Sequence, residues 1–442
     1  MEINELKVAV VGGGSSYTPE LAEGIIARRA ELPVGEVWLV DIPSGRDKLD
    51  AVAGLVGRMA ARSGAGIKVH AAVDRRAALD GADFVISQFR VGGLEARIRD
   101  ERIPLKHGCI GQETTGPGGF MNALRTIPAI LGLCRDMEEL CPDAWLINFT
   151  NPSGIVTEAV LNHSSVKAIG LCNCPIGMQD GIARQFGCPA REVRIDFVGL
   201  NHLLFARRIY VRGEDVTEQA VARAHEGGEI MEAIPSVAAG RRFFKSLGMV
   251  PIGYLKYYYF AKEMYARCLR QAGQGGEGGG VRGEVVRKIE DGLFALYRDP
   301  GLAAKPPQLS ERGGAHYSDA ACDLMRSIHG DRRDVQVVCV RNGGANLDLP
   351  EDAVIERNCV VGRDGASPVP LGHMPPKARG LVQAVKAYEQ LTVEAAVRGD
   401  RDAALQALAL HPLVPSANVA MAMLDEMMLA NKEYLPQFGP ID

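Results

Sequence analysis

The chain has 442 residues, 47% hydrophobic and 24% charged, with 50 Lys and Arg against 54 Asp and Glu for a formal net charge of −4. Those proportions exclude a disordered or collagen-like chain, and the length calls for two domains or one large two-lobed unit. The acidic balance leaves no basic footprint for nucleic acid or an anionic membrane, and no apolar run approaches the roughly 18 residues of a spanning helix. The opening Met1-Glu2-Ile3-Asn4-Glu5 is acidic and leads toward a strand, which does not read as a secretory signal. Ten cysteines are scattered, mostly inside apolar runs such as Leu131-Gly132-Leu133-Cys134. That usage fits free thiols in a reducing, cytoplasmic compartment.

In chain order, Lys7–Val11 reads as a buried strand and Pro19–Arg29 as a helix, with Thr18 as its N-cap and Pro19 at its first position. Val37–Val40 is a second strand ending at Asp41, and Asp47–Arg62 a second helix. Asp83–Ile86, Ala144–Ile147 and Ala168–Leu171 read as further strands, with helices near Ala123–Glu139 and Gly154–Leu161. The alternation predicts an α/β fold whose first domain, residues 1–198, is a Rossmann-like doubly wound parallel sheet. Beyond residue 198 the texture changes. Leu203–Phe205 and Arg208–Val211 read as strands, Arg212–Asp215 as a polar turn, and the rest as helical segments ending in a long helical region from Pro376. A second domain, mixed α+β and helix-rich, is predicted over 199–442. Gln274–Gly280 is of low complexity and reads as a mobile loop.

Gly12-Gly13-Gly14-Ser15-Ser16-Tyr17 lies between the first strand and the first helix. A dinucleotide pyrophosphate meets backbone N–H groups and a helix N-terminus at such a turn, where bulky side chains would hold the phosphates away. Asp41 closes the second strand, where a carboxylate accepts from ribose hydroxyls and repels a 2′-phosphate, which favours NAD over NADP. Tyr17 stands where the fingerprint has its third glycine. A glycine-rich turn in an unrelated α/β protein is the plainer alternative.

Leu171-Cys172-Asn173-Cys174-Pro175 follows a strand, and a residue at the C-terminal end of a parallel strand points into the crevice. Gly199-Leu200-Asn201-His202 opens the second half. Each has an ordinary reading: Cys172 as a small buried hydrophobe, His202 as a hydrogen-bonded core residue. The Cys172-x-Cys174 spacing is not that of a structural zinc site.

Taken together and in order, Val10–Glu20, Gly111-Gln112-Glu113-Thr114-Thr115-Gly116-Pro117-Gly118-Gly119, Asn148-Phe149-Thr150-Asn151-Pro152-Ser153-Gly154, Cys172-Asn173 with Pro175, and Gly199–His202 resemble glycoside hydrolase family 4. Tyr254–Tyr259 and Arg282–Val286 match in the same order, and the nearest branch is the 6-phospho-β-glucosidases. The resemblance implies NAD and a divalent metal, Mn²⁺ above others, held by Cys172 and His202. It implies Tyr254 as general base, Glu113 as the acid that raises its basicity, and Arg97, Asn151 and Arg282 as substrate contacts. Asn173 stands where the α-glycoside branch has a proton-donating Asp, so β-glycosides with good leaving groups are expected. The implied substrate is a small phosphorylated disaccharide or aryl glycoside, and the implied assembly a homodimer or homotetramer.

The chemistry so implied is oxidation at sugar C3, deprotonation at C2, elimination of the aglycone, addition of water and return of the hydride, an exception to the two-carboxylate scheme of most glycosidases. Three alternatives stay open: a family member acting on non-phosphorylated or galacto-configured glycosides, a dehydrogenase with net redox, and a non-catalytic NAD sensor. Cys174 is a departure whose effect on packing, metal binding or oxidation the sequence leaves undecided.

Overall fold

The computed structural model describes residues 5–226, 233–234, 236–273, 279–312 and 316–441. Met1 to Asn4 and most of the glycine-rich loop, 274–278, therefore lie outside the described residues.

The strands are β1 Leu6–Val11, β2 Val34–Val40, β3 Lys68–Ala72, β4 Phe84–Ser87, β5 Trp145–Asn148, β6 Lys167–Gly170, β7 Val193–Leu200, β8 Leu203–Val211, β9 Glu214–Asp215, β10 Val250–Pro251, β11 Asp334–Arg341, β12 Val354–Gly362 and β13 Gly365–Pro368. The large sheet runs β13-β12-β11-β6-β5-β4-β1-β2-β3. Its six strands β3-β2-β1-β4-β5-β6 are parallel in the doubly wound order, and β11, β12 and β13 extend it antiparallel from β6. A small antiparallel sheet, β10-β8-β7 with β9 on β8, carries the second half of the fold.

Side chains alternate along β1 because strand residues point to opposite faces. Val8 and Val10 pack against helices Thr18–Ala27, Arg46–Ser63, Arg282–Tyr297 and Tyr317–Gly330; Ala9 packs against Gly116–Leu140 and Ser153–His163. Helices and strands from beyond residue 280 thus complete the layers begun by the first half of the chain.

Several boundaries differ from the sequence reading. Thr18 is the first helical residue, not the cap; Tyr17 precedes it, and the Thr18 hydroxyl donates back to the Gly13 carbonyl at 2.9 Å. The helix expected from Ala123 begins at Gly116. Its glycines are there because the preceding loop packs on them: a Cβ on Gly118 would lie 2.2 Å from the Gln112 carbonyl oxygen, and one on Gly119 2.5 Å from Thr114. Leu203–Phe205 and Arg208–Val211 are parts of the single strand β8. The helix Gly93–Lys106, for which the sequence reading offered no element, is present and carries Arg97 and Asp100. All ten cysteines are free.

Helix Gly93–Lys106 is tied to Gly116–Leu140 by a buried ion pair. The Arg125 guanidinium donates to both Asp100 oxygens, at 2.8 and 2.5 Å, and to the Asn431 side-chain oxygen at 3.1 Å. With neither partner reached by water, removing one leaves the other an uncompensated charge. Arg125→Ala should lower unfolding free energy by about 3–5 kcal/mol in denaturant titration. A loss of only ~0–1 kcal/mol, typical of an exposed pair, would show that Asp100 finds another partner.

Candidate active site

At the C-terminal end of β1 the chain turns through Gly12 with φ +88°, and a Cβ there would lie 2.8 Å from the Gln88 backbone. Added Cβ atoms on Gly13 and Gly14 would meet Val40 N and Asp41 Oδ2, both at 2.7 Å. The three glycines are therefore demanded by the fold as well as by any phosphate above them. The Asp41 carboxylate accepts from Gly14 N–H at 3.0 Å and from Ile42 N–H at 2.8 Å, which leaves lone pairs for ribose hydroxyls. Ser16 is buried beneath the turn; its hydroxyl donates to Glu290 at 2.9 Å, and its carbonyl accepts from the Tyr297 hydroxyl at 2.7 Å. The Tyr17 ring is flanked by Tyr317 at 5.4 Å and by the Arg312 guanidinium at 4.3 Å. Small residues and a carboxylate with lone pairs to spare fit a dinucleotide, although the N–H groups of Gly12, Gly13, Gly14 and Ser15 already have partners within the protein.

At the other end of the cleft, Cys172 follows β6 while His202 sits in the two-residue turn between β7 and β8. His202 takes φ +60°, the left-handed region that non-glycine residues seldom occupy outside functional turns. Asn201 anchors the turn by accepting from Gly154 N–H at 3.3 Å. The sulfur atoms of Cys172 and Cys174 and a ring nitrogen of His202 all lie within 4.8 Å of one another, a donor set that fits a divalent cation. The neighbouring Cys174 thiol pulls the Cys172 thiol well below its ordinary range; burial opposes this and His202 adds to the pull.

Of the four tyrosines between 254 and 259, Tyr254 stacks on His202, with ring centroids 4.2 Å apart and planes 19° apart. Tyr258 and Tyr259 turn instead to His411 and Phe243. Burial raises the Tyr254 phenol well above its ordinary range, and Cys174, Cys172 and Glu113 push the same way. The chain alone thus disfavours the phenolate.

Glu113 is clamped between Arg90 and Arg97, the latter at 2.7 Å, and Arg97 also donates to Glu101 at 2.8 Å. Burial pushes the Glu113 carboxyl pKa up, but Arg90 and then Arg97 outweigh it and bring it down to about 2.

One cleft of about 1480 Å³ joins these parts. Its wall includes Gly12, Gly14, Ser15, Ser16, Tyr17, Asp41, Arg97, Glu113, Asn151, Asn173, His202, Tyr254 and Arg282; Gly13 and Cys172 sit behind it. Arg282 is at the exposed rim, where its guanidinium donates to the carbonyl of Arg312 at 3.0 Å. The Asn151 carbonyl accepts from the Asn122 side chain at 3.1 Å. Sequence reasoning missed Arg90, Lys256, Arg312 and Tyr317, which also line the cleft. Lys256 lies within the Tyr254–Tyr259 motif but was not singled out there, and the other three belong to no motif, so only the fold brings them to the wall.

Fold and cleft define an α/β protein of the Rossmann class whose crevice opens onto a thiol–imidazole cluster, the thiols following β6 of the large sheet and the imidazole carried by the small one. The chain matches the Family 4 glycosyl hydrolase model over residues 7–188 and the Family 4 glycosyl hydrolase C-terminal domain over 197–414, and it belongs to that family of glycosidases. It is 43% identical over 441 residues to the 6-phospho-beta-glucosidase of Escherichia coli (strain K12), covering 98% of this chain and 97% of that one. It is 38% identical over 431 residues to the 6-phospho-beta-glucosidase BglT of Thermotoga maritima, covering 97% and 99%. The structure of the 6-phospho-beta glucosidase from Thermotoga maritima with manganese, NAD+ and glucose-6-phosphate aligns over 97% of this chain and 99% of that chain, with a TM-score of 0.87 and 36% identity.

Because the folded Glu113 pKa lies below its ordinary value of 4.5, its contribution to stability is complete above about 4.5 and is lost as pH falls toward about 2. Glu113→Gln should flatten the acid limb of the stability curve across that window and lower stability at neutral pH, as read by urea unfolding at a series of pH values. An acid limb identical to wild type would mean that the carboxylate is not held by the two arginines.

Proposed function

We propose that the protein is a 6-phospho-β-glucosidase that uses NAD and a divalent metal, Mn²⁺ by likeness to its relatives. The observation that carries this is the charge of the cleft. Eight Lys and Arg against five Asp and Glu line it, in a chain whose net charge is −4, with the glycine turn at one end and the Cys172–His202 cluster at the other. Such a wall suits an anionic sugar beside a dinucleotide. NAD held along Gly12–Tyr17 and Asp41 supplies the hydride acceptor and donor for sugar C3, and a divalent cation at Cys172 and His202 supplies Lewis-acid charge beside the oxygens on C2 and C3.

The remaining work falls to the chain. Tyr254, stacked over His202, takes the proton from C2, with Glu113 placed to favour that transfer. Arg97 and Asn151 orient the sugar. Asn173 has no acidic proton to give, so the aglycone leaves C1 without help, which favours β-glycosides with activated leaving groups. Arg282, at the rim beside Arg312, binds the 6-phosphate through the planar guanidinium fork. The reaction ends with no net redox. In this reading, residues 1–198 hold the nucleotide and 199–442 bring the metal ligand His202, the base and the assembly surface, with β11–β13 returning to the large sheet. Among the described residues no helix is long and apolar enough to cross a membrane. The protein works in the cytoplasm as a homodimer or homotetramer.

The test compares one aryl β-glucoside with and without its 6-phosphate, in the presence and absence of NAD⁺ and Mn²⁺. Cleavage should require both additions and the phosphate, and Arg282→Ala should lose on the order of 2–5 kcal/mol, mostly in apparent affinity for the phosphorylated form. Faster cleavage of the unphosphorylated glucoside would favour a family member acting on plain glycosides; stoichiometric NADH would favour the dehydrogenase.

A further inference from the structure

Cys174 places a second sulfur at the cation cluster. Asn173, at φ −85° and ψ −10°, curls the chain so that Cys174 N–H comes 3.5 Å from the Cys172 sulfur. Cys174 then opens the helix Cys174–Phe186 and lines the cleft, whereas Cys172 sits behind the wall. The two sulfurs and a ring nitrogen of His202 fall within 4.8 Å of one another. Two sulfur ligands of one tetrahedral ion at metal–sulfur distances near 2.3 Å lie about 3.8 Å apart, so donor atoms already within 4.8 Å of one another reach one ion through side-chain adjustments of up to about an ångström. Among the described residues, no other group of three His, Cys, Asp or Glu side chains is so placed.

We propose that Cys174 is a third protein ligand, so that the sugar-free enzyme holds a two-thiolate, one-imidazole site selective for a soft or borderline cation of the zinc class. The inference rests on the metal reading above and deepens it. Two thiolates and one imidazole form the Cys₂His set that catalytic zinc takes in alcohol dehydrogenase, with the fourth tetrahedral position open to a water or substrate oxygen. Hard Mn²⁺ prefers oxygen donors, and nitrogen and sulfur sites follow an affinity order that places Mn²⁺ lowest and Zn²⁺ and Co²⁺ higher. The second thiolate also cancels the full charge of a divalent ion. The resting ion is therefore held more tightly than a lone Cys and His would hold it, and is a weaker Lewis acid.

The test uses the full chain, freed of metal by chelator under reductant, without sugar or NAD, and titrated with Co²⁺. Wild type should show visible bands of four-coordinate cobalt and a near-ultraviolet thiolate-to-cobalt band with the intensity of two Co–S bonds. Cys174→Val, Cys174→Ser and Cys172→Ser should each show about half that intensity. Zn²⁺ affinity, by competition with Co²⁺, should fall in Cys174→Val by at least the roughly 10- to 100-fold that follows loss of an outer-shell partner. Wild-type intensity of only one Co–S bond, or a band unchanged in the folded Cys174 variants and lost in Cys172→Ser, overturns the third ligand and leaves the Cys172–His202 site standing. No band in wild type overturns the metal site altogether. The wild-type intensity decides the matter even if a variant fails to fold, and Cys174→Ser keeps the size and hydrogen bonding that Cys174→Val removes.

Discussion

Everything at the His202 end of the cleft depends on how the β7–β8 hairpin is tied to β12 of the large sheet. The Asn358 side chain on β12 works as a two-way clip: its oxygen accepts from Phe197 N–H at 2.9 Å and its nitrogen donates to the Ile195 carbonyl at 2.8 Å. Beside it the buried Arg357 guanidinium reaches Asp196 at 2.6 Å, the Phe197 carbonyl, and Val369 at 3.0 Å. These bonds satisfy backbone groups on one strand with side chains from another sheet, so they fix both position and register. The hairpin tip follows. Asn201 is tied to the start of the helix Ser153–His163, and His202 accepts left-handed geometry opposite Cys172. A strained residue held by its surroundings is the form that preorganised sites take.

The glycine-turn end is held by a different device, the crossing of helix Arg282–Tyr297 over the first half of the chain. Glu101 accepts from Gly283 N–H at 2.6 Å, Glu290 accepts from both Ser16 and Arg312, and Tyr297 reaches the Ser16 carbonyl. A Cβ on Gly283 would lie 2.9 Å from Ile98, so the helix starts as close to Gly93–Lys106 as a backbone can. One helix thus steadies the glycine turn and presents Arg282 at the rim. In the proposed reaction this couples grip on the cofactor to grip on the phosphate.

How much of this was legible in the sequence differs by element. β1, β2 and β4 to β6 announce themselves as short apolar runs, and the glycine turn and Asp41 follow at the strand ends where the doubly wound rule puts a crevice. Lys68–Ala72 and Gly93–Lys106 were illegible: the first is a half-exposed edge strand, and the second is charged on most faces because its buried Arg97 and Glu101 pair with each other along the helix while Asp100 pairs with Arg125 of the next. The start of Gly116–Leu140 was hidden because its glycines answer to packing by the Gln112–Thr115 loop, a contact with no local signature. Motif resemblance brought Cys172, His202 and Tyr254 forward, while Arg90 in a loop and Arg312 at the end of the short helix Pro307–Arg312 reach the cleft from places that only the fold settles. Cys174 was visible as an anomaly; its sulfur lying beside that of Cys172 was not.

In the proposed reaction Tyr254, stacked on His202, moves the C2 proton. Hydrolysis of an aryl 6-phospho-β-glucoside in D₂O, followed by NMR of the sugar product, addresses this at the atom concerned. Deuterium at C2 is the predicted result, with turnover abolished and NAD⁺ affinity retained in Tyr254→Phe. Product made at full rate with only protium at C2, or a fully active Tyr254→Phe, would contradict it.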